Sequence, residues 1–388
     1  MGSPSGVGLI KKKLNTLRCL LIKSIRKSAK KTKLNIPGPL GVEECNGEDA
    51  LTVDKERTVS IQKISKSFPQ DHPLFRMPAV VCPRSWVRKV DMLTILGPTI
   101  GVISAKSQLI PEVSIEWSCP PDKHWTFRKL MLPSPKYLSG MSLILASTGG
   151  DSYFHWMTDV LPRVRLAERA GYEVEHFDHF IVNKVKTDYQ KETLNYLKIP
   201  FNRLREISGK ANGYLCQRTV LPSLPSYPGA VPLETIQYMR SIIPETTTRK
   251  GVKLYIERGK SKRRRIPDET RIIEWLKTKS FEIIDCGEMS VKDQAATFAH
   301  AELIIAPHGG ALTNLMFCRE GTKVVELLSS KYPNPCYRNL CGVAGLSYIG
   351  IIGNSQKSES TSDLSDSSGV IETSLEDLKK AFEQISAY

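Results

Sequence analysis

Between residues 233 and 328 short apolar runs alternate with amphipathic ones at a spacing that few folds satisfy. Val252–Ile256, Phe281–Ile284, 303–306 and Lys323–Leu328 read as strands, and 233–243, 267–278, 290–299 and 311–317 as helices. A strand covered by helices on both faces is a nearly continuous apolar run. Alternation with helices then implies βαβ crossovers and a parallel, doubly wound sheet. The 388 residues, 40% of them apolar, can bury the cores of two domains, which excludes a disordered polypeptide or a minimal binding module. Four prolines in 221–232 cannot sit in a helix interior or a central strand, so this stretch is expected to connect the domains.

The implied organisation is a basic tail (1–42), an N-terminal lobe (61–220), the Pro-rich connection (221–232) and a C-terminal lobe (233–353). A flexible polar loop (354–370) and a closing segment (371–388) follow. In the N-terminal lobe, strands are predicted at 93–96, 142–147 and 179–182, and a helix over about 153–170. Leu375, Leu378, Ala381, Phe382 and Ile385 mark the closing helix.

The net charge of +15 is unevenly spread: residues 1–42 hold ten of the 55 Lys and Arg and none of the 40 acidic residues. Leu14, Leu17, Leu21 and Ile25 fall at helical spacing among Lys11, Lys12, Arg18, Arg26 and Lys30. A basic amphipathic helix over 1–33 suits an anionic membrane surface; a solvated extension ending at Pro37-Gly38-Pro39 suits the same residues equally. The longest apolar run in the tail, 19–22, is far short of the roughly 20 residues that span a bilayer. Nine scattered cysteines without a C-x-x-C pair argue against a disulfide scaffold or a zinc site. They suit a reducing compartment, and the expectation is a cytoplasmic protein, peripheral at the inner face of any membrane it meets.

Three segments carry candidate chemistry. In 303–314 an apolar strand runs into His308-Gly309-Gly310 and a short helix. At the carboxyl end of a parallel strand, such a turn aims backbone N–H groups at an anion. His308, Thr313 and Asn314 can add hydrogen bonds, although a plain tight turn fits the same pattern. In 151–163, His155 and Asp159 are four apart and share a helical face. They make a candidate general base or a packed His–Asp pair, with a kink expected near Pro162. In 255–266, Arg258 follows a strand and can hold a phosphate in bidentate fashion, as can members of the run Lys260 and 262–265. Glu326, closing Lys323–Leu328, can accept two ribose hydroxyls or pair with a basic neighbour such as Arg319. His-Gly-Gly without a G-x-S-x-G elbow is not an esterase loop. No P-loop, no G-x-G-x-x-G and no Asp-x-Asp occurs, and no metal site is expected.

Taken in register, Phe154-His-Trp-Met-Thr-Asp-Val-Leu-Pro-Arg163, Tyr255-Ile-Glu-Arg-Gly through Arg265-Ile-Pro-Asp-Glu269, and Pro307-His-Gly-Gly-Ala-Leu-Thr-Asn314 with Val-Val-Glu326 resemble the catalytic domain of glycosyltransferase family 61. The resemblance spans about residues 140–330. It implies an α/β, GT-B-like architecture: two Rossmann-like lobes with a nucleotide-sugar cleft between them. It also implies inverting, metal-independent transfer of a sugar from a nucleotide donor, UDP foremost, to a glycan, surface-polysaccharide or lipid-linked saccharide acceptor, with no further cofactor. Arg258, His308 and the Gly309-Gly310 backbone then hold the diphosphate, Thr313 and Asn314 assist, and Glu326 takes the ribose. His155 or Asp159 deprotonates the acceptor, and the closing helix crosses back to the N-terminal lobe. Two departures from the family pattern stand out: Ser152 replaces an Asn, and Gly310-Ala311 stand where Ala-Gly is usual. The alternative is a non-catalytic RNA- or membrane-surface-binding protein on a Rossmann scaffold. Its basic run lacks the interleaved aromatics that stack bases, which argues against nucleic acid.

Overall fold

The computed structural model describes residues 6–31, 39–42, 50–61, 72, 77–97, 99–208, 212–226, 229–244, 251–259, 264–353 and 369–387, without side chains at 6–14 and 28–31. Lys11, Lys12, Leu14, Lys30, Lys260, Lys262, Arg263 and most of the loop expected at 354–370 therefore lie outside the described side chains. The chain divides into two compact units. One comprises Met1–Lys55 with Arg84–Pro225, the other Glu56–Pro83 with Ser226–Tyr388.

The first unit is built on a mixed nine-stranded sheet. Its long central strand Ser85–Leu96 pairs antiparallel with Gly213–Pro222. Beyond that strand the sheet is parallel: Gly213–Pro222, Lys136–Ile144, His179–Asn183 and Leu204–Ile207 lie side by side. The helices Pro162–Arg169 and Asp188–Tyr196 supply the crossovers. Only 93–96 of the central strand is legible in sequence. Its middle carries Arg88, Lys89 and Asp91, and Met92 bends the backbone into positive φ (53°), so the alternation breaks.

The tail is neither a bare extension nor a helix lying free. Gly6–Lys31 is α-helical, and Cys19, Ile22 and Arg26 are buried against the first unit. The Arg26 guanidinium donates to the carbonyls of Pro39 and Thr126 and to those of Lys129 and Leu130. Burial pushes its pKa down to about 10, which still leaves it cationic at neutral pH.

The second unit contains a five-stranded, fully parallel sheet in the order Phe281–Ile284, Val252–Ile256, Ala301–Pro307, Lys323–Leu328, Ser347–Ile352. Each of the four strands predicted here is present. The fifth, with the helix Cys336–Ala344 before it, is not legible, because the Pro333-Asn-Pro335 and Gly342 punctuation reads as loop. Residues 77–83, expected in the N-terminal lobe, group with this second unit, where Arg57–Ser60 and Ala79–Cys82 form a small antiparallel ribbon. The stretch 221–232 is less of a linker than expected. Leu221 and Pro222 end a strand and 221–226 are buried; the boundary falls between Pro225 and Ser226. The closing helix Leu375–Ser386 belongs to the second unit, where Leu378, Ala381 and Ile385 pack into the core with Phe281 and Leu276.

Candidate active site

The second unit brings Arg258 and the His308 turn together at the carboxyl edge of its parallel sheet. Val252–Ile256 and Ala301–Pro307 are neighbours in the sheet, so the residues leaving them meet. Arg258 Nη1 donates to the His308 carbonyl at 3.2 Å. Gly309 lies under this guanidinium, and a Cβ there would stand 2.0 Å from Arg258 Nη1. Gly309 is extended, with φ 177°, so no backbone strain calls for glycine there; the missing Cβ leaves the space that the guanidinium occupies. Ala311 takes no positive φ, and the Gly-Ala exchange therefore costs nothing in the turn.

A second guanidinium stands close by. Arg264, held at φ 55°, lies over the Tyr332 ring at 5.5 Å. Burial, and next the charge of Arg264, lower the Arg258 pKa. Two neighbouring cations raise each other's energy unless an anion joins them. Backbone and guanidinium donors at a strand's carboxyl end form a site that favours phosphate.

His308 is itself fixed from behind. Its Nδ1 is 2.5 Å from Glu326 Oε1, and its ring packs at an angle to Tyr332 and Tyr337. Tyr348 donates to Glu326 Oε2 at 2.6 Å. Glu326 is fully buried, as are Thr313 and Asn314. The contacts that these three side chains make are with the protein interior. Glu326 has both oxygens committed to the interior and orients His308, where the sequence reading gave it the ribose. Asn314 Nδ2 donates to Gln294 at 2.6 Å, and Thr313 lies 3.5 Å from the Tyr337 hydroxyl. The helical turn Gly310–Phe317 is apolar nearly throughout, so it sinks into the core and takes its two polar side chains with it.

The first unit holds the other pair. His155 Nδ1 lies 2.7 Å from Asp159 Oδ2, with side chains 24% and 7% exposed. The helix predicted over 153–170 is interrupted: Tyr153–His155 is α-helical, Trp156–Val160 a π-helical turn, and Pro162–Arg169 α-helical again. Pro162 has no N–H for the carbonyl four residues back, and the Leu161 N–H reaches the Trp156 carbonyl instead. The widened turn keeps Asp159 beside His155. Arg163 is fully buried, donating to Ala146 at 2.7 Å and Ser223 at 3.1 Å. Burial pushes its pKa down to about 10 against the opposing charge of Asp159.

Two features of this pair are not legible in sequence. Gly149 (φ 81°) passes so near the imidazole that a Cβ would lie 2.6 Å from His155 Cδ2. The loop carrying it leaves the strand Lys136–Ile144, and Asn183 pins it through Ser147 N (3.0 Å) and O (2.9 Å). Trp117, 51% exposed, lies with its ring 5.3 Å from that of His155 at 33°. Thr148 ties the two loops by donating to the Ile115 carbonyl at 2.7 Å. An isolated Glu-Trp-Ser in a sequence carries no signal of such a contact. Ser152, the other departure from the family pattern, hydrogen-bonds the Gly149 carbonyl and stabilises this turn.

Residues 153–325 match the family model described as Glycosyltransferase 61. No curated protein matches the chain. Among solved structures it is similar to the dodecameric iron-containing heptosyltransferase TibC in complex with ADP-D-beta-D-heptose. There the identity is 11% and the TM-score 0.28, over 84% of this chain and 86% of that one. For TibC from enterotoxigenic E. coli H10407 the corresponding values are 10%, 0.24, 76% and 81%. Superpositions this loose carry no inference about the present chain.

Proposed function

Given that the chain is a glycosyltransferase, with a glycosyltransferase family 61 domain over residues 153–325, we propose that it is a GT-B-type, inverting, metal-independent enzyme. It transfers a sugar from a UDP donor to a hydroxyl of a glycan, surface-polysaccharide or lipid-linked saccharide. The observation that carries this reading is Arg258, seated on Gly309 beside Arg264 at the carboxyl edge of a parallel sheet. When the bond from the anomeric carbon to the diphosphate breaks, the electron pair leaves with the phosphate oxygen. Preorganised positive charge there lowers the barrier, and two guanidiniums supply what a divalent cation supplies in other transferases. Glu326 holds the His308 side chain in place behind the same turn.

His155 acts as the base in this reading. Its Nδ1–H is engaged by Asp159, so Nε2 accepts the proton of the attacking hydroxyl, and the carboxylate stabilises the imidazolium that forms. Asp159, nearly buried and bound to His155, orients the ring. Trp117 offers a flat aromatic face beside the base, suited to the C–H face of an acceptor sugar.

UDP at a hundred times its dissociation constant should stabilise the purified chain by about 2.7 kcal/mol, read as a thermal shift. The shift should persist in EDTA. Arg258→Ala should abolish it, and Gly309→Ala should weaken it by displacing the guanidinium. Loss of the wild-type shift in EDTA would contradict a metal-independent donor site. Trp117→Ala should raise the acceptor KM by up to about tenfold, for a lost stacking contact of about 0.5–1.5 kcal/mol. The UDP shift should stay unchanged; an unaltered KM removes Trp117 from acceptor binding.

A further inference from the structure

The helix Gly6–Lys31 has two apolar faces, and the first unit uses one of them. Cys19, Ile22 and Arg26 succeed one another at helical spacing and are buried. Lys23 covers the Phe127 ring at 4.3 Å, and the four carbonyls around Arg26 fix the helix's rotation. The opposite face is left outward. Leu17 is 63% exposed, Leu20 59%, Leu21 62% and Ile25 37%. These positions, at i, i+3, i+4 and i+8, form one stripe. Leu130 and Met131, in the segment whose carbonyls hold Arg26, are exposed as well. A contiguous apolar stripe on a monomer marks an interaction surface. Here its rotation is set by a buried arginine and is not left to chance.

The charge around the stripe selects the partner. Arg18 and Lys27 are exposed on the described part of the helix, while Arg26 and Lys23 are engaged on the docked face; in sequence, residues 1–42 hold ten Lys and Arg and no acidic residue. A soluble protein partner with an apolar groove needs no such excess of one sign. A bilayer with anionic headgroups uses both features, taking the leucines into the acyl boundary and the cations at the phosphate level. Among the described residues no helix is long and apolar enough to cross a membrane. We propose that the Leu17–Leu20–Leu21–Ile25 face docks the folded enzyme on an anionic lipid surface, with Arg26 as the clamp that turns this face outward. The inference is independent of the transferase reading, since it uses no residue of the donor site or the His155 pair.

The test is co-sedimentation of the full chain with vesicles of phosphatidylcholine alone, or with about 30% phosphatidylserine. The wild type should sediment with the anionic vesicles only, less so as salt is raised. The combined substitution Leu17→Ser, Leu20→Ser, Leu21→Ser should weaken binding about tenfold or more. Its melting temperature and UDP-induced shift should match the wild type, because the three leucines lie outside the core. The proposal fails if the wild type remains in the supernatant with both vesicle types, or if the triple variant sediments equally well. It fails also if the wild type forms a dimer that the triple variant abolishes, since the face then belongs to a second copy of the chain.

Discussion

Replacing His155 with alanine is expected to lower the rate of sugar transfer by about 10²–10⁴-fold and leave UDP-dependent stabilisation intact. The two effects separate because the imidazole belongs to the first unit and the guanidinium site to the second. A base positioned by a carboxylate acts on the attacking hydroxyl and contributes nothing to holding the donor. Asp159→Asn tests the orientation directly. An amide in place of Oδ2, 2.7 Å from Nδ1, can present N–H and force Nδ1 to accept, which puts the proton on Nε2 where the acceptor's proton must go. Turnover should fall nearly as far as in His155→Ala, with acceptor KM changed little. An active Asp159→Asn enzyme would assign the pair a packing role, beneath Trp117 and beside Phe154.

The largest effect on stability is expected at Glu326. Its carboxylate is fully buried between the imidazole of His308 and the hydroxyl of Tyr348. Burial, and next the charge of Glu326, push the Tyr348 phenol well above its ordinary pKa, so Tyr348 stays a hydrogen-bond donor. Glu326→Ala strands both partners away from water and leaves a void in the layer between sheet and helix. The expected cost is about 3–5 kcal/mol, read as a lower urea midpoint. Glu326→Gln keeps one acceptor oxygen and should cost less. Tyr348→Phe removes a single hydrogen bond, about 1–2 kcal/mol, and leaves the His308 contact in place. If Glu326 instead bound ribose, alanine would weaken UDP binding and hardly change the fold. Equal stability of Glu326→Ala and wild type would return the residue to the donor site.

Much of the second unit is readable because its strands are covered on both faces. Burial on both sides makes 303–306 and most of 252–256 and 323–328 apolar in succession, and that pattern is local; 281–284, at the sheet's edge, is only partly buried. The His155–Asp159 spacing is local too, and so is the glycine pair after a strand. The chain therefore declares a parallel α/β unit, a phosphate-suited turn and a candidate base before any coordinates exist. The first unit is harder to read, since strands such as Ser85–Leu96 are solvated midway and lose their alternation.

Distance in the chain hides the rest. Fifty residues separate Arg258 from His308, and only sheet pairing places one guanidinium over Gly309. Glu326 looks like a ribose ligand at a strand's end, but the strand beyond it carries Tyr348 and closes that position to solvent. Trp117 reaches His155 through loops tied by one hydroxyl. The leucines of the N-terminal helix announce an amphipathic segment in sequence; that the protein docks the other face, through Arg26, depends on carbonyls about a hundred residues away. Periodicity and turn chemistry act between near neighbours and can be read along the chain. Which polar atom is buried, and which apolar face stays wet, is decided by packing between elements far apart in sequence.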